Sequence, residues 1–119
     1  QIIQTFGRDR DPELKTWVIR QGVRLATKPA APVAAVAGGK VIFAGPFRSY
    51  GRVVIMDHGA GFYSIYGDLG LITSLKGASI SASEVIAQSG EPLPGRGEVY
   101  FEIRRGSEAL DPLAWLRKK

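Results

Sequence analysis

The sequence predicts a mainly β domain, a compact antiparallel sheet or barrel-like fold with short helical segments only near its ends. Seven short runs, at residues 33–36, 40–44, 52–57, 62–66, 72–75, 85–87 and 99–104, are rich in Val, Ile, Phe and Tyr, the residue types that pack well on a pleated surface. Fifteen glycines and seven prolines fall between these runs as turn punctuation rather than in one linker. Helix-length amphipathic stretches are scarce. The candidates are residues 11–18 and the short tail 112–116, the latter following Asp111 as a capping residue.

In chain order, residues 1–17 are polar with little periodicity and read as a linker or N-terminal extension from a longer protein. Residues 18–119 form the folded unit. At 119 residues the whole chain fits one domain with a small core, and Phe101, Ile103, Trp115 and Leu116 read as part of it. No repeat of solenoid period is visible. The absence of a starting Met and of a signal peptide points to an excised domain.

The net charge of +5, from 16 basic and 11 acidic residues, comes from scattered side chains. The Arg104-Arg105 pair is too short for a polybasic tract, and no nucleic-acid module accompanies it, so ordinary surface charge is expected and nucleic acid is not. With no cysteine there is no disulfide scaffold, which leaves the compartment open. No apolar run approaches the roughly 20 residues that span a bilayer.

The segment Glu98-Val99-Tyr100-Phe101-Glu102-Ile103-Arg104-Arg105 resembles the His-x-His-Phe-Glu strand of LytM-type zinc endopeptidases (M23, lysostaphin-like), with Glu98 and Tyr100 in the histidine positions. Other segments follow in that family's order. Arg20-Gln21-Gly22-Val23-Arg24 matches its His-x-Gly-x-Asp motif, and Pro32-Val33-Ala34-Ala35 the strand after it. Tyr66-Gly67-Asp68-Leu69 matches Tyr-x-His-Leu with Asp68 in place of the catalytic histidine, and Asp111-Pro112-Leu113 closes the resemblance.

The resemblance implies the LytM fold and a lost metal site. A catalytic zinc needs about three His, Asp, Glu or Cys ligands and an open water position. The positions assigned to ligands hold Arg20, Arg24 and Tyr100, and those assigned to proton-handling histidines hold Asp68 and Glu98. A guanidinium stays protonated and has no lone pair to donate. No metal, no cofactor and no catalytic residue is therefore expected. The single histidine, His58 in Asp57-His58-Gly59, reads as a structural turn residue because it has no second ligand at metal-site spacing. Nothing in the spacing of Asp68 and Glu98 favours a glycosidase pair.

Within the family the segment is similar to that of EnvC-type murein hydrolase activators. That similarity implies a non-catalytic domain that activates N-acetylmuramoyl-L-alanine amidases in cell separation, in the periplasm or cell envelope, by capturing the helix that covers the amidase active site. The expected groove comprises Arg20, Arg24, Tyr66, Asp68, Glu98 and Tyr100, with Tyr50 and Arg96 on its rim. The two arginines would make a cationic floor for partner carboxylates, and the tyrosines flat contact area. A non-catalytic peptidoglycan-binding module is the alternative, and an active M23 endopeptidase the remote one. A lipoyl-type carrier lacks support, since none of Lys28, Lys40 or Lys76 sits at a suitable hairpin tip. A further contact, to a membrane division complex through a missing N-terminal region, is also expected.

Overall fold

The computed structural model describes residues 2–11 and 16–117, with the side chains of residues 8–19 and 115–117 outside the description. In chain order the strands are β1 (Ile2–Gln4), β2 (Gly7–Asp11), β3 (Thr16–Arg20), β4 (Val23–Thr27), β5 (Pro32–Ala34), β6 (Gly39–Pro46), β7 (Arg52–Gly59), β8 (Phe62–Ile72), β9 (Ser79–Ile80), β10 (Val85–Leu93), β11 (Arg96–Arg105) and β12 (Glu108–Leu110). A 3-10 turn at Arg48–Tyr50 precedes β7, and α1 (Pro112–Arg117) ends the chain. The main sheet runs β1-β4-β11-β10-β8-β7-β6-β9, with β12 paired to β11 and β5 to β10. β2 and β3 form a separate antiparallel pair.

Two strands change partner, and this places the groove. The first half of β8 pairs with β11, from Phe62↔Arg105 to Gly67↔Tyr100. Its second half pairs with β10, Leu69 opposite Ser89 and Ile72 opposite Ala87. The switch falls at Asp68, a non-glycine residue at φ 55°, in the left-handed region that few side chains other than Asn and Asp visit. β11 makes the complementary change, pairing with β10 through Glu98↔Gly90 and with β8 from Tyr100 onward. β4 runs along its other edge, Arg24 opposite Tyr100 and Ala26 opposite Glu98.

Alternation along β11 sorts its side chains. Val99, Phe101 and Ile103 join the core with Val23, Val41, Val54, Met56, Tyr66 and Ile86, leaving Glu98, Tyr100, Glu102 and Arg104 on the opposite face. Phe101 packs its ring 5.3 Å from that of Tyr66. The expected core roles of Phe101 and Ile103 hold, while the side chains of Trp115 and Leu116 lie outside the described residues.

The β class is as expected, with differences at three places. Residues 11–18 were expected to be helical; apart from 12–15, which lie outside the described residues, they are strand, closing β2 at Asp11 and opening β3 at Thr16. The run Thr16-Trp17-Val18-Ile19 consists of β-formers, and pairing with β2 settles it. Residues 72–75 were expected to be a strand, but only Ile72 is, as the end of β8. The amides of Thr73 and Ser74 both donate to the Ile86 carbonyl, at 3.0 and 3.1 Å, and the chain turns at Gly77, φ 92°. The tail is helical as expected, and the Asp111 carboxylate accepts the Leu113 amide at 3.1 Å as its N-cap. Residues 2–4, assigned by the sequence to the extension, form the outer strand of the main sheet on β4.

Candidate functional site

At the junction of β4, β8 and β11, one guanidinium nitrogen of Arg24 donates to both Asp68 and Glu98, the latter at 2.8 Å. The side chains are 26%, 32% and 19% exposed, so the clasp faces solvent without being free in it. The strand pairings dictate this convergence. Tyr100 lies opposite both Arg24 and Gly67, so Asp68, next along β8, and Glu98, two residues back on β11, come within reach of the same arginine. The Arg24 guanidinium also lies 5.2 Å from the centre of the Tyr100 ring, within cation–π range. Burial works against the charged arginine, but its hydrogen bonds to Asp68 and Glu98 outweigh this and raise its pKa.

Behind the clasp is a second network, centred on Glu102. Its side chain is 0% exposed and accepts from the hydroxyls of Tyr100 at 2.6 Å and Tyr50 at 2.9 Å and from Arg104 Nε at 2.8 Å. Arg104 continues to the side-chain oxygen of Gln21 at 2.5 Å. Burial first, and then the Glu102 carboxylate, push the hydroxyls of Tyr100 and Tyr50 above their ordinary range. The two tyrosine rings, 5.6 Å apart and tilted by 42°, are thus held as a pair, and Phe47 extends them at 6.2 Å from Tyr50. Gly22 permits the arrangement: a Cβ there would meet the Phe101 carbonyl and lie 2.7 Å from Glu102 Cγ and 2.8 Å from Tyr100 Cζ.

Three linked depressions follow the junction. One of about 310 Å³ is lined by Arg20, Arg24, Tyr50, Asp68 and Tyr100. A second, about 570 Å³, shares Arg24 and Asp68 with it and adds Arg52, Glu91 and Glu98. The third, about 420 Å³, shares Glu98 and is lined by Ile3, Leu93 and Arg96. Of the groove residues expected from sequence, Arg20, Arg24, Asp68, Glu98 and Tyr100 are brought together. Tyr50 lies in the groove rather than merely on its rim, and Arg96 lies at the far end.

Tyr66 is a correction. It is 2% exposed because the pleat of β8 turns it into the core, where its hydroxyl accepts the Val36 amide at 3.1 Å and bonds Ser64 at 2.9 Å. The cationic floor is a second correction, since Arg24 is already engaged by two carboxylates. His58 is a structural residue, as expected. Its Nδ1 donates to the Gly38 carbonyl at 2.8 Å, and Nε2 lies 2.6 Å from the Ser64 hydroxyl. The sequence reading missed Glu102, whose signal was a lone acid between Phe101 and Ile103 in an apolar strand.

The donor set at the positions assigned to zinc, two guanidiniums and a phenol, does not fit a zinc ion. The carboxylates beside them are bound to Arg24. Among the described residues no three His, Cys, Asp or Glu side chains group as a metal cage.

The chain is 34% identical over 115 residues to the murein hydrolase activator EnvC of Escherichia coli, covering 96% of this chain and 26% of that protein. It is 25% identical over 120 residues to the E. coli murein hydrolase activator NlpD, covering 100% and 30% respectively. The fold superimposes on the catalytic domain of the antimicrobial peptidase lysostaphin from Staphylococcus simulans with a TM-score of 0.82 at 20% identity, covering 98% of this chain and 92% of that one. The chain spans between 18% and 39% of the length of the curated relatives it matches. The model of peptidase family M23 matches residues 18–112, and the chain belongs to that family.

Proposed function

We propose that this domain activates N-acetylmuramoyl-L-alanine amidases and does not cut peptidoglycan itself, with the groove at the β4–β8–β11 junction binding the helix that covers the amidase active site. The observation that carries the reading is the Arg24 clasp: where the family's cleft would hold a metal, a guanidinium lies between Asp68 and Glu98. The similarity to proteins named murein hydrolase activators supports a role in regulating peptidoglycan hydrolases. Its place of work is the cell envelope, in keeping with relatives named as lipoproteins. Among the described residues no helix is long and apolar enough to cross a membrane.

The mechanism needs no covalent step. Tyr50 and Tyr100, fixed by Glu102, present rigid aromatic area, the kind of surface that anchors a helix in a groove. An amidase that interconverts between covered and open forms is shifted by whatever binds the open form better. Moving it from 1:99 to 99:1 takes about 5.5 kcal/mol of preference, within reach of a groove with a few well-packed anchors.

The test is dye release from labelled peptidoglycan by the domain, by a cell-wall amidase of the same organism, and by the mixture. Release well above the amidase's own level only in the mixture is expected. Zinc-dependent release by the domain alone would refute the reading. No stimulation of a competent amidase, together with sedimentation of the domain with sacculi, would point to a wall-binding module.

A further inference from the structure

The protein carries a net charge of +5, yet the largest of the three linked depressions runs against that sign. Its lining holds three carboxylates, Asp68, Glu91 and Glu98, against two guanidiniums, Arg24 and Arg52. The neighbouring depressions show no such excess: one has Arg20 and Arg24 against Asp68, the other Arg96 against Glu98. Both basic groups of the acid-rich depression already hold a hydrogen-bond partner. Arg52 donates to the Gly70 carbonyl at 2.6 Å, while Arg24 gives one nitrogen to two acids.

Two carboxylates sharing one guanidinium leave one negative charge uncompensated, and both acids remain partly exposed. A carboxylate arriving beside the clasp would face Asp68 and Glu98 as well as Arg24. A cation would complete the balance, and a partly desolvated, charge-complementary contact is where electrostatics most affects partner choice. We infer that this depression takes a basic side chain, a lysine or arginine, projecting from the amidase helix, while the Tyr50 and Tyr100 rings hold that helix's apolar residues. The inference rests on the activator reading and reverses the expectation that the groove floor recognises partner acids.

The signs of three substitutions separate the two charge assignments. The domain is titrated calorimetrically with a purified cell-wall amidase of the same organism, at low and at raised salt. Asp68→Asn and Glu98→Gln each weaken binding about tenfold at low salt, and by less at raised salt. Arg24→Gln, which removes the positive charge between the two acids, tightens it. Amide variants that bind as well as the parent, with Arg24→Gln weakened, would overturn the inference and leave the activator reading standing. If Arg24→Gln fails to fold, the two amide variants decide the matter alone. No binding by the parent domain would bring down the activator reading and this inference with it. Amide variants that lose sedimentation with sacculi while keeping amidase affinity would place the basic group in the wall peptide, and also overturn it.

Discussion

Replacing Glu102 by Gln removes one charge from the interior while keeping the side chain's shape, and every partner of that charge is a donor. The carboxylate accepts two hydroxyls on one oxygen and Arg104 Nε on the other. A glutamine offers one acceptor and one donor, so turning its oxygen to the tyrosines sets its NH2 against the Arg104 N–H. The reverse orientation keeps a neutral bond to Arg104 and makes both hydroxyls rotate to accept. The side chain cannot swing clear, because Gly22 closes on Glu102 Cγ. Removing one partner of a buried ion pair costs about 3–5 kcal/mol. Arg104 is 22% exposed and recovers some hydration, so the low end, about 3 kcal/mol, is expected. With an unfolding entropy of about 2.1 cal/mol/K per residue, that lowers Tm by about 12 °C in a chain of 119 residues. Urea unfolding measures the stability loss, and dye release from the amidase mixture, at a temperature where the variant stays folded, measures the slackened tyrosine pair. A loss under about 1 kcal/mol, with stimulation intact, would refute the claim that Glu102 holds the groove.

Tyr50, Tyr66 and Tyr100 all have raised hydroxyl pKa values, burial being the first cause in each. Their stabilising contribution is complete below the ordinary value near 10 and is lost as pH rises toward the folded-state values, because the unfolded chain then releases protons that the folded one retains. Chemical denaturation between pH 9 and about 12 should show falling stability, with a shallower fall in Tyr100→Phe. Gly22→Ala forces β4 away from β11 and should cost about 1–3 kcal/mol, read by thermal melting, with amidase stimulation falling too. Tyr66→Phe leaves the Val36 amide without its acceptor and should cost about 1–2 kcal/mol, yet leave stimulation unchanged, since the ring lies in the core. The domain dialysed against zinc should retain substoichiometric metal by mass spectrometry, and stoichiometric retention would overturn the ligand reading.

Much of the fold was legible because β-formers and glycines alternate along the chain, and motif order picked out Arg20, Arg24, Asp68, Glu98 and Tyr100, which line linked depressions. What one-dimensional reading could not show was which side of a strand faces the core at an irregular position. Tyr66 and Tyr100 carry the same residue type in similar motifs, yet Tyr66 points inward while Tyr100 lines the groove. Asp68 provides the intervening irregularity, with its left-handed backbone at the point where β8 changes partner. The 11–18 region failed for a related reason: local periodicity suggested a helix, whereas pairing with a neighbouring strand decides the backbone at both of its described ends. Glu102 was missed because a lone acid between two core residues reads as an ordinary alternation. Only the three-dimensional convergence of Tyr50, Tyr100 and Arg104 shows that it is fully buried and paired.

The clasp also explains how a cleft built around a cation could persist without its metal. A divalent ion in such a cleft is the largest local charge and offsets the acidic groups around it. Here Arg24 supplies a fixed positive charge from β4 that Asp68 on β8 and Glu98 on β11 share. The strand junction therefore keeps an electrostatic cross-link among β4, β8 and β11. Such a cross-link is weaker than metal coordination, because each group is partly exposed and partly screened. It also places two carboxylates on a single guanidinium. Under the proposed function such a junction discriminates the charge of an approaching helix, and the opposite signs expected for Asp68→Asn and Arg24→Gln distinguish charge recognition from a purely structural clasp.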